Sequence, residues 1–140
     1  MRVASMTYGV VTLTLTKATI RKLRAAQRKH ERAMLHVRLS DRVRNTELRK
    51  RSGVTDVVER VAKLKWSFAG HVARTTDQRW TKRLVEWRPR EDRRSRGRPP
   101  TRWSDDIRRL AGDWLRKAQD RDGWRNMGEA YVQQWTEMAV

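Results

Sequence analysis

The sequence predicts an all-α protein of about five to six amphipathic helices in two loosely joined units, with a short residual strand at the N-terminus. Two observations lead to the helices. Apolar residues recur every three or four positions along most of the 140 residues, and residues that favour helix N-caps, such as Thr16, Asp56 and Asp120, precede those stretches. A third observation separates the units. All three prolines lie between residues 88 and 102, in a stretch that cannot propagate a helix.

Residues 7–15 predict the strand, because threonine alternates there with aliphatic residues from Val11 onward. No second strand pattern follows that could pair with it. We therefore expect residues 1–15 either to fray or to be the remnant of a sheet that lies upstream of Met1.

Residues 16–87 are predicted to form the first helical unit. A helix from residue 17 to about 37 has a basic outer face, and a short helix from residue 45 stops near Gly53, which suits a position just after a helix end. Thr55 or Asp56 is expected to cap the next helix, which has the longest apolar stripe, and a short fourth helix follows Asp77. The expected core residues of this unit are Leu23, Met34, Val61, Leu64 and Phe68.

The second unit is predicted to be a tryptophan-rich helical hairpin at residues 101–140, joined to the first by an Arg/Pro-rich linker at residues 88–100. Thr101 is expected to cap a helix that continues to about Ala118, and Asp120 to cap the last helix. The expected core residues of this unit are Ile107, Leu110, Trp114, Tyr131 and Trp135.

The charge is strongly positive and unevenly distributed. The chain has a formal net charge of +18, with 34 lysines and arginines against 16 acidic residues. Residues 17–51 hold thirteen of these cations and three acids, and residues 88–102 hold seven arginines and two acids, whereas residues 103–140 are close to neutral. Such a charge favours a polyanionic partner, above all nucleic acid. The absence of cysteine excludes disulfides and thiolate zinc sites, and no apolar run is long enough for a membrane span. We expect a nuclear or cytoplasmic location.

The sharpest local motif is Arg-Gly-Arg-Pro at residues 96–99, which is similar to the core of an AT-hook, a minor-groove-binding motif. Ser95 stands where that motif usually has a proline. The arginine-rich segment, defined here as residues 88–102, can therefore read a minor groove, contact phosphates without reading sequence, or be a solvated linker. Trp80 and Trp87 border this segment and can either pack or stack on unpaired bases.

No catalytic site, metal site or cofactor is predicted from the residues. A two-metal polymerase or nuclease needs clustered carboxylates. The adjacent pair Asp105 and Asp106 lies in the first turn of a predicted helix, where capping and the helix dipole explain it.

Several short runs together resemble a known family. The chain is similar, over nearly its whole length, to the C-terminal part of the endonuclease–reverse transcriptase of RTE-type non-LTR retrotransposons. The matching runs include QRKHERAML at residues 27–35, DRVRN at 41–45, AKLKW at 62–66, GRPPTRWSDDI at 97–107 and EAYVQQW at 129–135.

This resemblance implies that residues 1–15 leave the palm, that residues 16–87 are thumb-like, and that the rest is a C-terminal extension of an RNA-directed DNA polymerase. The palm and endonuclease carboxylates have no counterpart, so the fragment would bind a duplex or RNA/DNA hybrid through phosphates, without catalysis of its own, beside the palm and endonuclease parts. A helical protein-interaction module and a transposon relic without function remain alternatives. The cations expected to contact nucleic acid are Arg21, Arg24, Arg28, Lys29, Arg32, Arg93, Arg94, Arg96, Arg98 and Arg102.

Overall fold

The computed structural model describes residues 7, 9–76, 80–87, 97 and 101–137. Within these residues the chain forms seven α-helices and no strand. Their bounds are α1 Lys17–Met34, α2 Asn45–Ser52, α3 Val57–Arg74, α4 Trp80–Glu86, α5 Asp105–Ala111, α6 Trp114–Lys117 and α7 Arg121–Glu137. Two short 3-10 turns, Val10–Thr12 and Leu39–Asp41, precede α1 and α2. The predicted all-α class is therefore confirmed.

The helix count differs from the prediction because one predicted helix is broken in two. The chain between residues 101 and 118 forms α5 and α6, which are separated at Gly112. Gly112 has a φ of 58°, a left-handed conformation that glycine adopts without steric cost and that ends a helix. The first of these helices begins at Asp105, so Thr101 is not its N-cap. Thr16 and Asp56, in contrast, cap α1 and α3 as expected.

The predicted N-terminal strand is wrong for the described part of residues 7–15. Gly9 has a φ of 67°, and the hydroxyl of Thr12 donates to the carbonyl of Gly9 at 2.7 Å, which closes a turn instead of extending the chain. Val10 and Leu15 are buried against the helices. The indole of Trp103 also donates to the carbonyl of Val11 at 2.6 Å, so this segment docks on the chain's own helices.

Helix α3 is the centre of the fold, because it contacts α1, α4, α6, α7 and the N-terminal turn. Trp66 on α3 and Trp124 on α7 stack with their ring centroids 3.9 Å apart and their planes 8° from parallel. Each indole donates to the backbone carbonyl of the other tryptophan, at 2.8 Å from Trp66 and 3.1 Å from Trp124. This reciprocal contact satisfies both buried N–H groups and fixes α3 against α7.

The apolar core contains residues from both predicted units. Val61 and Trp66 from the first predicted unit share one cluster with Ile107 and Tyr131 from the second. The linker at residues 88–100 lies outside the described residues except for Gly97, so its predicted role as a linker stays a prediction.

Most of the predicted core residues are buried or partly buried. Val61, Ile107, Trp114, Tyr131 and Trp135 are buried, whereas Leu23, Leu64, Phe68 and Leu110 are half-buried. Met34 is an error in the prediction, because it is 38% exposed at the end of α1. The inner face of α1 buries Ile20 together with two polar residues, Gln27 and Glu31.

Candidate nucleic-acid interface

The outer face of α1 carries a row of cations. Arg21, Lys22 and Lys29 are exposed, and Arg28 is half-buried. None of these four side chains forms an ion pair with a carboxylate in the part of the chain that the structure describes. The charges of this outer row of cations (Arg21, Lys22, Arg28 and Lys29) are therefore available to an external anion.

Two predicted interface residues lie at helix junctions and not on this outer face. Arg24 is 17% exposed, and its guanidinium lies 3.7 Å from the carboxylate of Asp56, the N-cap of α3. Arg32 donates to the carbonyl of Val43 at 3.2 Å and to the side chain of Asn45 at 3.3 Å, at the start of α2. Both arginines hold helices together, because their guanidinium groups reach across to neighbouring elements.

A buried polar junction joins α1, α2 and α3. The side-chain oxygen of Gln27 accepts from the amide of Val57 at 2.8 Å, and its nitrogen donates to the carbonyl of Thr55 at 2.8 Å. Glu31 is 1% exposed and lies 3.6 Å from Arg49, which also pairs with Asp56. Carboxylates of this region are thus used inside the fold, and this leaves the outer surface of α1 uniformly basic.

Most of the arginine-rich segment lies outside the residues that the structure describes. Arg93, Arg94, Arg96 and Arg98 are not among the described residues, so their predicted contacts stay a prediction. Arg102 is exposed, and its backbone amide donates to the carboxylate of Asp105 at 2.7 Å. That bond anchors the end of the segment to the first turn of α5.

A groove of about 430 Å³ lies between α3 and α7, beside the stacked tryptophans. Four cations and one acid line it, together with Trp66, Trp124, Ser67, Gly128 and Val132; the charged residues are Lys63, Arg74, Arg121, Arg125 and Glu129. Several of these cations already have partners. Lys63 pairs with Glu59, Arg125 lies 3.7 Å from Asp122, and Arg74 donates to the carbonyl of Ala118 at 2.7 Å. The groove is thus a weaker candidate for phosphate contact than the outer row of cations.

Helix α4 places its apolar stripe towards solvent. Trp80 is 73% exposed, Leu84 63% and Trp87 66%, whereas Val85 is half-buried and packs on the core. Packing of Trp80 and Trp87, one of the two alternatives from the sequence, does not occur within the described residues. The other alternative, stacking of Trp80 and Trp87 on unpaired bases, stays a prediction.

A buried charged cluster, which the sequence did not suggest, links α3, α5 and α7. The ammonium of Lys65 donates to both carboxylate oxygens of Asp106, at 2.9 and 2.8 Å, and the hydroxyl of Tyr131 donates to the same carboxylate at 2.6 Å. All three residues are buried. Lys65 also lies 5.1 Å from the centre of the Trp103 ring, a cation–π contact. The cluster is closed to solvent, so its geometry suits a structural role.

Burial in this cluster shifts the pKa values of two groups, Lys65 and Tyr131. Burial lowers the pKa of the Lys65 ammonium, and the carboxylate of Asp106 opposes part of that change. Burial also raises the pKa of the Tyr131 hydroxyl, and the nearby charge of Asp106 raises it further. Tyr131 therefore keeps its proton and remains a hydrogen-bond donor to Asp106.

Capping was the expected role of both acids, and it is not sufficient for Asp106, whose carboxylate accepts from the amide of Ile107 and also from Lys65 and Tyr131. Asp105 accepts from the backbone amide of Arg102, which precedes the helix. A signal for the buried cluster was present in the sequence. Lys65 falls between Val61 and Ala69 at spacings of four, in the middle of the apolar face of α3. A lysine at such a position requires a buried acid from another element.

The described residues contain no group of three or more histidine, aspartate or glutamate side chains that could hold a metal ion. They also contain no helix that is both long and apolar enough to cross a membrane.

The chain is similar to a protein of Caenorhabditis elegans whose name describes it as transposon-derived. The two are 33% identical over 134 residues, which cover 86% of this chain and 48% of that protein. The chain thus spans about half the length of this relative. The similarity is consistent with a transposon origin. No family model and no solved structure matches the chain.

Proposed function

We propose that this chain is a nucleic-acid-binding part of a transposon-encoded reverse transcriptase of the RTE type, which grips the phosphates of the template–primer duplex. The similarity to a transposon-derived protein supports the origin. The resemblance of the sequence runs supports the finer assignment. In this proposal the chain has no catalytic residue of its own and contributes binding to an enzyme whose palm and endonuclease lie elsewhere.

The observation that carries the proposal is the outer row of cations on α1. Side chains at positions 21, 22, 28 and 29 face outward without a carboxylate partner in the described part of the chain. Cations arranged along a helix bind phosphates in register and carry little sequence information. They also release counterions from the nucleic acid, which makes the affinity strongly dependent on salt.

The arginine-rich segment would extend this surface. It holds seven arginines and only two acids, and its last residue, Arg102, is exposed three residues before the start of α5. A segment of this composition is suited to follow a phosphate backbone, because it carries fixed charge and buries little.

A helical protein-interaction module is the second candidate, and the exposed stripe of α4 favours it. The two candidates differ in their response to salt. Phosphate binding weakens steeply between low and physiological salt, whereas association through an apolar helix face changes little.

The proposal is tested by replacing three exposed cations of α1 in the variant R21S/K22S/K29S. Affinity for a duplex or an RNA/DNA hybrid is measured by fluorescence anisotropy across a series of salt concentrations. We expect weaker binding and a slope of log K against log salt that is shallower by about 2 to 3, since each lost phosphate contact removes about 0.9. The matched control R109S/R116S/K117S removes three exposed cations from α5 and α6, with the same change in charge. Equal losses in the two variants would mean that net charge, and not this surface, causes binding.

The contribution of the arginine-rich segment is measured in the same way with R93S/R94S/R96S/R98S. We expect weaker duplex binding and a shallower salt slope, and an unchanged slope would show that the segment only tethers. Incubation of the pure chain with template–primer, nucleotides and Mg²⁺ tests the absence of catalysis. Nucleotide incorporation in that assay would overturn the proposal.

A further inference from the structure

We propose that the outer face of α4 is a binding site for unpaired nucleobases, and that it holds a single-stranded part of the nucleic acid next to the duplex. The inference rests on the proposed function, since it names a second form of nucleic acid that the same chain binds. It is carried by different residues, however, and can fail independently.

The first observation is the geometry of the exposed stripe. Trp80 and Leu84 lie in α4, and Trp87 follows its last residue, with its amide donating to the carbonyl of Arg83 as in a further helical turn. The spacing i, i+4 and i+7 therefore places the three side chains within one narrow face. The two tryptophans are separated by about 10 Å along the helix axis, at 1.5 Å per residue. Both are more than half exposed. They therefore present two flat aromatic surfaces, on the same side of one helix, with an aliphatic side chain between them.

The second observation is that α4 does have an inner face. Val85 lies about 100° around the helix from Leu84, and it packs on the core that α3 organises. The helix is therefore docked in an orientation that buries its valine and exposes its tryptophans. An orientation with the tryptophans inward would bury far more apolar surface. A contiguous exposed apolar face of this kind marks an interaction site.

The third observation is the charge around the stripe, which decides between occupants. Within α4, the two cations Lys82 and Arg83 stand against a single acid, Glu86. The guanidinium of Arg83 lies 5.6 Å from the centre of the Trp80 ring, so positive charge sits directly beside an aromatic surface. A second copy of this helix would bring like charges together, which disfavours self-association. A polyanion that carries flat apolar rings would complement both the positive charge and the exposed tryptophan rings.

Single-stranded nucleic acid has that chemistry. Its bases can stack on aromatic side chains while its phosphates contact neighbouring cations, without any demand for a particular sequence. A duplex does not offer this, because its bases are already stacked on one another and only their edges are accessible in the grooves. The site is therefore expected to discriminate single strands from duplexes, which the outer row of cations on α1 does not.

The test compares the full chain with its W80A/W87A variant. Affinity is measured by anisotropy for labelled oligouridine and for a duplex of the same length. We expect the variant to bind oligouridine at least about tenfold more weakly, because each base that no longer stacks on an aromatic ring lowers the affinity for the single strand. Duplex affinity should stay within about twofold. The conservative variant W80F/W87F, which keeps a flat ring at both positions, should restore most of the single-strand affinity.

The controls separate stacking from folding and from self-association. Leu39→Ala removes an apolar side chain that is 80% exposed at a site far from α4 in sequence, and it should leave both affinities unchanged. Unchanged oligouridine binding in W80A/W87A would overturn the inference, as would an equal loss on duplex. A change from dimer to monomer in sedimentation, with no loss of oligouridine affinity, would assign the stripe to a protein interface instead. Failure of the proposed function is recognised separately, by unaltered duplex binding in R21S/K22S/K29S.

Discussion

The buried pair of Lys65 and Asp106 gives the most decisive test of the fold. Asp106→Asn removes the negative charge but keeps the size of the side chain. Lys65 is fully buried and donates to both oxygens of Asp106, so its ammonium would lose its counter-ion without access to water. Breaking such a buried pair costs about 3–5 kcal/mol. The whole unfolding free energy of a domain is about 5–15 kcal/mol, so the loss would be a large fraction of it.

The assay is equilibrium unfolding in urea, followed by tryptophan fluorescence and by circular dichroism. The midpoint for Asp106→Asn should fall well below that of the original chain, with a similar slope. A matched control is Asp105→Asn. Asp105 is the adjacent acid and accepts only from the exposed amide of Arg102 among the described contacts, so its change should cost about 1 kcal/mol.

A double-mutant cycle shows whether the charge pair itself causes the effect. Lys65→Met alone leaves Asp106 with the hydroxyl of Tyr131 and the backbone amide of Ile107 as donors. The double variant K65M/D106N removes both charges, and we expect it to be more stable than either single variant, because no unpaired charge remains buried. Strictly additive single effects, or an unchanged midpoint for Asp106→Asn, would refute the structural role assigned to this cluster.

Two further predictions concern the same core. Burial and Asp106 raise the pKa of Tyr131 above its ordinary value of 10.0, so above that pH the unfolded chain releases a proton that the folded chain retains, and stability should fall as pH rises. Urea midpoints between about pH 9 and 11 should fall less in Tyr131→Phe than in the original chain, and equal falls would contradict the assignment. Gly70→Ala should cost about 1–3 kcal/mol through overcrowding, because a Cβ at Gly70 would lie 2.5 Å from the indole nitrogen of Trp124. A Cβ at Gly128 would lie 3.0 Å from the Trp66 ring, so Gly128→Ala should lower the free energy of unfolding by less than Gly70→Ala does. A larger loss for Gly128→Ala in urea unfolding would contradict the tight contact between α3 and α7.

The sequence predicted the long helices well because each has its own periodic signal. Helices α1 and α3 begin after Thr16 and Asp56, whose side chains accept from amides of the first turn as expected. Gly53 likewise ends α2 with a φ of 62°. These features depend on residues close in sequence, and a single sequence contains all the information needed to locate them.

The orientation of a helix could not be predicted in the same way. The periodic stripe of α4 was visible, but whether it would face the core depends on which neighbouring surface is still uncovered. Helix α7 and the N-terminal turn already cover α3 on other sides, and Val85 is the residue of α4 that meets the remaining apolar surface. The partner of Lys65 was hidden for a related reason. Asp106 is 41 positions away, and its place in a first turn offered a local explanation that was sufficient without a long-range contact.

The distribution of charge explains why composition identifies a polyanion binder but not its binding residues. A net charge of +18 does not distinguish a cation that joins helices from one that faces solvent. Arg24 and Arg21 are three positions apart on α1, yet Arg24 reaches the carboxylate of Asp56 while Arg21 is exposed. Substitution of Arg24 should therefore weaken both folding and binding, whereas substitution of Arg21 should weaken binding alone. A residue of this helix can be assigned to the interface only when its loss lowers affinity without lowering the urea midpoint.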